Sequence, residues 1–472
     1  MFASMTLNFQ AKRRHLSFSG WTSGFVAGLL GLLGLPACSD NYLTDGVIVL
    51  TTGQETDAWT AEPPVKNTLV EMVQGDKRTT LGTLTAPSTR LTIGTGGPQG
   101  EIASFEATSF DADANVVMKG LTVPLGIYGF ESAEIALFVG RVGGLSRAPG
   151  DLVFPRRHPQ MAVLYHGYLL ISGGDEASAN LDVYDMPRWG VAPKQAALPK
   201  VPGSWAISGS KLLLIDQTSA TWFDFSSYAT TDVDAPVELV YGDIVGGETV
   251  GSPGDAQYIV GATRTKGEPT DQVLRVDPDA TLHFMKLKTP RLGASAAIVD
   301  GRLLVVGGSD MGAGAELANS SDTAFIELPF PADARVGAAL VATDATTAVL
   351  AGGRDPENDD DIAGFRTMDL NCSKDCEQVP IDGADFAYVL PRLFTLSPNQ
   401  LVAVGEDPKT TETHVFTFDL GLGHELTEFA LQTPRTGASA FLLPNGQVGV
   451  LGGDALADEA PASSVELFFP LP

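Results

Sequence analysis

Short apolar runs separated by turns rich in Gly, Pro and Asp occupy most of the chain. In one unit the strand-like run SAAIV leads to a turn at Asp300-Gly301, and a second run, LLVV, ends at Gly307-Gly308. Asp-Gly supplies the positive φ that hairpin turns require, and a continuous apolar run indicates a strand buried on both faces. No long helical period follows the first forty residues. The pattern therefore predicts an all-β protein with almost no helix.

The same unit recurs about every 42 to 52 residues. Two copies share the pattern T-P-R-x-G-A-S-A, at Thr289–Ala296 and Thr433–Ala440, and five copies are looser. The second apolar runs of the seven copies end at Gly174, Asp216, Gly261, Gly308, Gly353, Gly405 and Gly453. Blades of β-propellers repeat at this length, so the sequence predicts seven blades.

The repeat also resembles a known motif. Its Arg-led first strand, its Gly-Gly at the end of the second strand and its third strands LDVYD and HVFTFDL resemble the kelch motif. The expected Trp of the fourth strand is largely missing. The resemblance implies a kelch-like β-propeller over residues 132–472.

The last repeat contains only three strand-like runs, which would leave a sheet edge open. Its third strand is Val465–Phe469. The apolar segment Ile135–Arg141 precedes the first Pro-Arg turn, as a fourth strand does in the other repeats. We therefore expect Ile135–Arg141 to pair with Val465–Phe469 and close the ring.

The segment before the repeats has strand-like runs of its own. About six short runs occur between residues 38 and 131, separated by turns rich in Gly, Asp and Pro. This density of strands predicts a small immunoglobulin-like β-sandwich, which would act as a spacer.

The N-terminus has the pattern of an export sequence. Basic residues at Lys12–Arg14 precede an apolar run that is too short and too rich in Gly to span a membrane well. It ends in Leu35-Pro36-Ala37-Cys38, which resembles the bacterial lipobox. The resemblance implies a signal peptide over residues 1–37 and acylation of Cys38; the alternative is an ordinary signal peptide with a chance cysteine. By the same resemblance, Ser39 implies the outer membrane.

The net charge changes the expected partners. A formal charge of −27 at pH 7 repels phosphate backbones and anionic headgroups. We expect no nucleic-acid partner, and membrane contact only through the lipid on Cys38. Solubility alone also explains this acidity.

Candidate chemistry is sparse. Cys372 and Cys376 flank Ser-Lys-Asp in an exported chain, which predicts a disulfide bond. The acidic loops Asp355–Asp361 and Asp111–Asn115 have the oxygen ligands that calcium prefers, but they lack a known calcium-loop spacing, so solvated or turn-forming loops are the favoured interpretation.

Five arginines occupy equivalent positions in the repeats: Arg157, Arg291, Arg335, Arg392 and Arg435. They could form an anion-binding ring at a channel mouth, or each could bind backbone carbonyls, which we favour. No histidine has metal-ligand spacing and no G-x-S-x-G motif occurs. The sequence thus predicts no catalytic, metal or cofactor site. It predicts a non-enzymatic, lipid-anchored envelope protein that binds a protein or glycan; the alternative is a degenerate propeller enzyme, galactose-oxidase-like or carbohydrate-active.

Overall fold

The computed structural model describes residues 46–93, 102–126, 134–164, 167–174, 179–192, 196–318, 324–358, 360–381, 386, 388–397, 399–421, 426–457 and 460–471. Strands dominate these ranges. Their helices are one α-helical turn at Tyr241–Ile244 and one 3-10 turn at Gly261–Thr263. Neither has the length that a membrane crossing requires. The all-β prediction is confirmed; the predicted signal peptide and Cys38 lie outside the described residues.

The N-terminal segment forms two sheets around a shared core. The alternating burial of Asn67–Gln74 directs Val70 and Met72 inward, where they pack with Ile48 and Phe105. The larger sheet has the order Lys77–Thr85, Asn67–Gln74, Ile102–Phe110, Val116–Leu121 and Gly140–Arg141, with Leu125–Gly126 paired to Ile102–Phe110. The smaller sheet has the order Arg90–Ile93, Gly46–Thr51 and Glu134–Phe138. Each of the strand-like runs predicted between residues 38 and 131 contains a strand in the described residues.

Seven antiparallel sheets, here numbered 1 to 7, contain the remaining main strands, and each has a path of four strands. The strands of sheet 1 are Gln160–Leu164, Tyr168–Ser172, Asn180–Asp185 and Gly190–Val191, and Ala196–Ala197 also pairs with Asn180–Asp185. The strands of sheet 2 are Ser204–Ser208, Lys211–Ile215, Ala220–Asp224 and Ala229–Val233. Those of sheets 3 and 4 are Glu248–Val250, Gln257–Val260, Thr270–Val276 and Leu282–Arg291, then Ser295–Val299, Arg302–Val306, Ala315–Ala318 and Phe325–Leu328.

Sheets 5 to 7 repeat the pattern. Their strands are Ala339–Ala342, Thr347–Ala351, Phe365–Asp369 and Gln378–Ile381; Val389–Ser397, Gln400–Glu406, Thr413–Asp419 and Leu426–Phe429; and Ser439–Leu442, Val448–Leu451, Val465–Phe469 and Gly144–Arg147. Two short ladders lie outside them, Arg354–Asp355 with Asp360–Asp361 and Arg435–Thr436 with Asp454–Ala455.

Hydrophobic clusters join consecutive sheets face to face. Leu170 of sheet 1 packs in one cluster with Trp205 of sheet 2, and similar clusters join each following pair of sheets. A further cluster places Phe441 and Leu467 of sheet 7 with Leu169 of sheet 1. Sheet 7 therefore packs on sheet 6 and on sheet 1. Four-stranded antiparallel sheets arranged in this way fit a β-propeller.

Sheet 7 is completed by a strand from before sheet 1, but not by the strand that the sequence predicted. Gly144–Arg147 runs antiparallel to Val465–Phe469, with Gly144 opposite Phe469. The predicted pairing of Ile135–Arg141 is wrong because Glu134–Phe138 lies parallel to Gly46–Thr51 in the small N-terminal sheet. The half-buried pattern of Glu134–Phe138 suits that sheet, since its alternate residues enter the N-terminal core.

Candidate functional site

A buried arginine beside a buried carboxylate recurs in three sheets. Arg291 ends the last strand of sheet 3 and reaches into sheet 4, where it donates to the carbonyl of Gly307 at 2.7 Å and to Oε1 of Glu316 at 3.0 Å. The same carboxylate accepts the backbone N–H of Thr289 at 3.1 Å, so it holds the turn that leads to the next strand. Equivalent pairs are Arg156 with Asp182 in sheet 1, Arg291 with Glu316 in sheet 4 and Arg435 with Glu466 in sheet 7.

The alternative of an anion-binding arginine ring does not fit the structure, because the five arginines do not share one environment. In sheet 1 the equivalent residue is Arg156, one position before the predicted Arg157, whose exposed side chain pairs instead with Asp454. Arg392 is also half exposed. The expectation that such arginines bind backbone carbonyls is confirmed for Arg291 and for Arg435, which donates to the carbonyl of Ser464 at 2.9 Å. These arginines therefore stabilise the connections between sheets.

A cavity of about 990 Å³ lies beside the first strands of sheets 3 to 7. Its apolar wall includes Val250, Ile298, Leu340, Phe394 and Leu442, which come from five different sheets. Ligand sites in proteins are commonly concave, mostly apolar and of this volume, with a few polar groups that orient the ligand. The cavity is therefore the strongest candidate binding site in the described residues.

Two residues of the cavity wall form an ion pair. Oε1 of Glu248 in sheet 3 lies 3.5 Å from Nη1 of Arg392 in sheet 6. Sheets 3 and 6 do not neighbour each other, because clusters of sheets 4 and 5 lie between them. The pair therefore links two sheets that are not neighbours, and because both side chains are partly exposed, breaking it costs little free energy.

Two further titratable residues, Glu406 and His158, lie close to each other. Oε1 of the buried Glu406 is 3.8 Å from Nδ1 of His158. Burial raises the pKa of Glu406, whereas the N–H of Gly437 and the charge of Arg157 oppose the rise. Burial, with the charges of Arg157 and Arg392, lowers the pKa of His158. Sequence reasoning missed Glu406, although it stands where the repeats of sheets 1, 4, 5 and 7 have the second residue of Gly-Gly.

Acidic and hydroxyl groups occur elsewhere on the cavity wall. Asp277 accepts a hydrogen bond from Nε of Arg275 at 2.7 Å and lies 3.0 Å from Nε2 of His283. Asp255 and Asp279 line the same cavity. Tyr258 is 1% exposed, its hydroxyl has no hydrogen-bond partner among the described residues, and burial raises its pKa. A ligand with a hydrogen-bonding group would satisfy this hydroxyl.

The cysteines and the acidic loops that the sequence singled out have structural roles: the cysteines form the predicted disulfide bond, and the loops form turns that their own hydrogen bonds stabilise. Cys372 and Cys376 form a disulfide bond, and the buried Cys376 joins the core between sheets 4 and 5. The carboxylate of Asp111 accepts two backbone N–H groups of its own turn. Asp355 likewise accepts the N–H of Glu357 at 2.9 Å. Within the ranges described above, no cluster of three or more His, Cys, Asp or Glu has metal-site geometry.

Comparisons with known proteins add little. No protein-family model matches the sequence, and a search of curated proteins finds no match. Among solved structures, one titled "Streptogramin B lyase structure" is similar over 68% of this chain and 96% of that chain, with 11% sequence identity and a TM-score of 0.40. A similarity this distant says nothing about activity.

Proposed function

We propose that this protein is an exported, lipid-anchored binding protein of the bacterial envelope. In this proposal a seven-bladed kelch-like β-propeller admits a protein or glycan ligand to its central cavity, and an immunoglobulin-like sandwich serves as the spacer. The observation that carries the binding role is the cavity of about 990 Å³ beside the first strands of sheets 3 to 7. Its apolar wall would hold the ligand, and its charged groups would orient it.

The seven-blade assignment is supported by packing and strand pairing together. Seven inter-sheet clusters link the sheets in chain order, and the last returns to sheet 1. Pairing of Gly144–Arg147 with Val465–Phe469 satisfies the edge that would otherwise be open. Repeats of kelch length favour the same architecture.

The charge of the cavity favours one class of ligand. Asp255, Asp277 and Asp279 outnumber Arg275 on one part of the wall, and the whole chain has a formal charge of −27. Electrostatic attraction would therefore favour a neutral or cationic ligand segment over an anionic one. A glycan with free hydroxyls or a peptide segment with Lys or Arg fits this requirement.

Site-specific photo-crosslinking in envelope preparations tests the binding role. A photoreactive residue at Ser252, on the cavity wall, should give a discrete adduct, whereas the same residue at the exposed Val379 on sheet 5 should give none. Leu442→Trp should reduce the adduct because Leu442 lines the cavity and is 38% exposed. Ile326→Trp on the exposed face of sheet 4 is the control. Equal adducts at Ser252 and Val379 would contradict binding in the cavity.

The anchor needs a separate test because it could be present without the binding role. A fatty-acid analogue should label the wild-type protein and leave Cys38→Ser unlabelled, since the thiol of Cys38 is the proposed acceptor. Cys372→Ser should remain labelled, because that sulfur lies in a disulfide bond. Equal labelling of the wild type and Cys38→Ser would exclude the anchor.

A further inference from the structure

Sheet 5 contains a buried arginine that lacks the carboxylate found in its counterparts. Arg335 is 6% exposed and stands before the first strand, as Arg291 and Arg435 do in sheets 4 and 7. Its Nε is buried and has no hydrogen-bond partner in the described part of the chain. Burial lowers the pKa of Arg335, the carboxylate of Asp333 raises it and the charge of Arg366 lowers it.

Strand register shows what has replaced the carboxylate. In sheet 4, Glu316 lies opposite Val305, and in sheet 7, Glu466 lies opposite Val450. Both of these second-strand residues lie two positions before the first glycine of the Gly-Gly pair. The corresponding residue of sheet 5 is Leu350, and its partner is Arg366. A second arginine thus occupies the carboxylate position.

Nearby acidic groups compensate only in part. Oδ1 of Asp333 is 3.9 Å from Nε of Arg335, beyond hydrogen-bonding distance. The carboxylate of Asp333 already accepts the backbone N–H of Arg335 at 3.0 Å and Nε2 of Gln378 at 2.8 Å. Glu377 is exposed at the rim, where solvent and salt screen its charge. Buried cations require a paired anion, so the site is incomplete by itself.

The two guanidinium groups line a preformed cavity. It has a volume of about 310 Å³, and its wall includes Asp333, Arg335, Arg366 and Gln378. The backbone N–H of Cys376 donates to the carbonyl of Pro329 at 3.1 Å, and the disulfide bond constrains the loop beside Gln378. The wall is therefore held in place without a ligand. Guanidinium forks match the oxygens of carboxylates and phosphates in two-point contacts.

We propose that the cavity between Arg335 and Arg366 is a binding site for a small oxyanion, a phosphate or carboxylate group, which occupies the place of the missing carboxylate. The site is separate from the central cavity and does not depend on the binding role proposed above. The anion would accept hydrogen bonds from both guanidinium groups. It would thereby join the connection between sheets 4 and 5 to the third strand of sheet 5.

The test is titration of the full-length protein with inorganic phosphate and, separately, with acetate, at constant ionic strength, followed by calorimetry and thermal melting. Wild type should bind at least one of them saturably and melt at a higher temperature when it is bound. Tighter binding of phosphate would identify a phosphate group as the ligand, and tighter binding of acetate would identify a carboxylate. Absence of saturable binding of both would overturn the proposal.

Variants separate this site from general surface charge. Arg366→Glu restores the carboxylate of the other sheets, so it should weaken anion binding at least tenfold and raise the melting temperature of the anion-free protein. Arg366→Gln should also weaken binding. Lys374→Glu makes the same charge change at a residue whose side chain is 84% exposed, and it should keep wild-type affinity. An unchanged affinity in both Arg366 variants would refute the assignment.

Discussion

Sheets 4 and 7 contain the same buried arginine and glutamate but are assembled from the chain in different ways. All four strands of sheet 4 lie in one stretch, Ser295 to Leu328. Sheet 7 takes Gly144–Arg147 from before sheet 1 and its other three strands from the last repeat. The buried arginine–glutamate pair thus forms whether or not the four strands of its sheet are consecutive in the chain. The stability of sheet 7 depends in addition on contacts between distant parts of the sequence.

The largest expected effect comes from removing Val465–Phe469, the third strand of sheet 7. Val465, Leu467 and Phe469 are buried, and at about 1.5–3 kcal/mol each they contribute roughly 5–9 kcal/mol. That amount rivals the whole stability of a typical domain, about 5–15 kcal/mol. A chain that ends at Ser464 should therefore unfold or aggregate in gel filtration and lose its cooperative thermal transition.

A chain that ends at Pro470 is the control, because Leu471 is 60% exposed. It should melt within a few degrees of wild type. If the chain that ends at Ser464 also remained monomeric and melted within a few degrees of wild type, a complete sheet 7 would not be needed for the integrity of the ring.

The second effect compares the two glutamates directly. Glu316→Ala and Glu466→Ala each leave a buried arginine without its anion, and breaking such a pair costs about 3–5 kcal/mol. In urea denaturation we expect the two variants to lose similar amounts of unfolding free energy, and each variant to unfold in a single transition. Glu327→Ala changes an exposed residue of sheet 4 and should have little effect. An additional early transition in Glu466→Ala alone would show that sheet 7 opens independently of the others.

The third effect concerns the disulfide bond beside sheet 5. Cys372 and Cys376 close a loop of five residues, for which the chain-entropy model gives about 2 kcal/mol. The double Ser variant should lower the unfolding free energy by about that amount, and reductant should do the same to wild type. Reductant should not affect the variant. Two free thiols in the mass of the unreduced, alkylated wild type would contradict the bond.

The smallest effect is pH-dependent and links the N-terminal segment to sheet 7. Oε1 of Glu55 accepts a hydrogen bond from Nε of Arg147 at 2.9 Å, and this contact lowers the pKa of Glu55, although burial opposes it. The stabilisation is therefore complete above the unfolded value of 4.5 and is lost as pH falls through the lower folded pKa. Both side chains are partly exposed, so the pair contributes less than about 1 kcal/mol.

Glu55→Gln should therefore lower the melting temperature slightly at pH 7 and match wild type at a pH below the folded pKa. Glu71→Gln, at an ion pair within the large N-terminal sheet, serves as a comparison that leaves sheet 7 intact. A difference between Glu55→Gln and wild type that grew on acidification would contradict the assignment of the pKa shift.

The repeat predicted the strands well because each repeat has local turn chemistry and apolar runs. It misassigned the closing strand because Glu134–Phe138 has the stronger strand pattern, whereas the true strand, Gly144–Arg147, is short and begins with Gly. Only tertiary pairing distinguishes them. The sequence pattern does not distinguish Arg157 from its neighbour Arg156, because both fit the Pro-Arg position of the repeat. In the structure the side chain of Arg156 is buried and that of Arg157 is exposed.

The candidate sites were harder to predict because their residues come from separate repeats. Glu248 and Arg392 form an ion pair on the wall of the cavity of about 990 Å³ and come from sheets that are not neighbours. The charge of the small cavity of sheet 5 could have been predicted from the sequence. An alignment of the third strands puts Arg366 at the position that Glu316 and Glu466 occupy in sheets 4 and 7.

The origin of sheet 7 also determines the order in which the protein can fold. Nε2 of Gln432 donates to the carbonyl of Leu145 at 2.8 Å across 287 residues of chain, whereas the hairpins of sheets 2 to 6 form between near neighbours. Contacts of long sequence separation form slowly, so ring closure is expected to be the late step. Until then Gly144–Arg147 has no partner in its sheet and one edge of Val465–Phe469 is open, so the Val465–Phe469 strand of a second molecule can pair with Gly144–Arg147. Crowded, newly made chains are thus exposed to strand exchange until closure is complete.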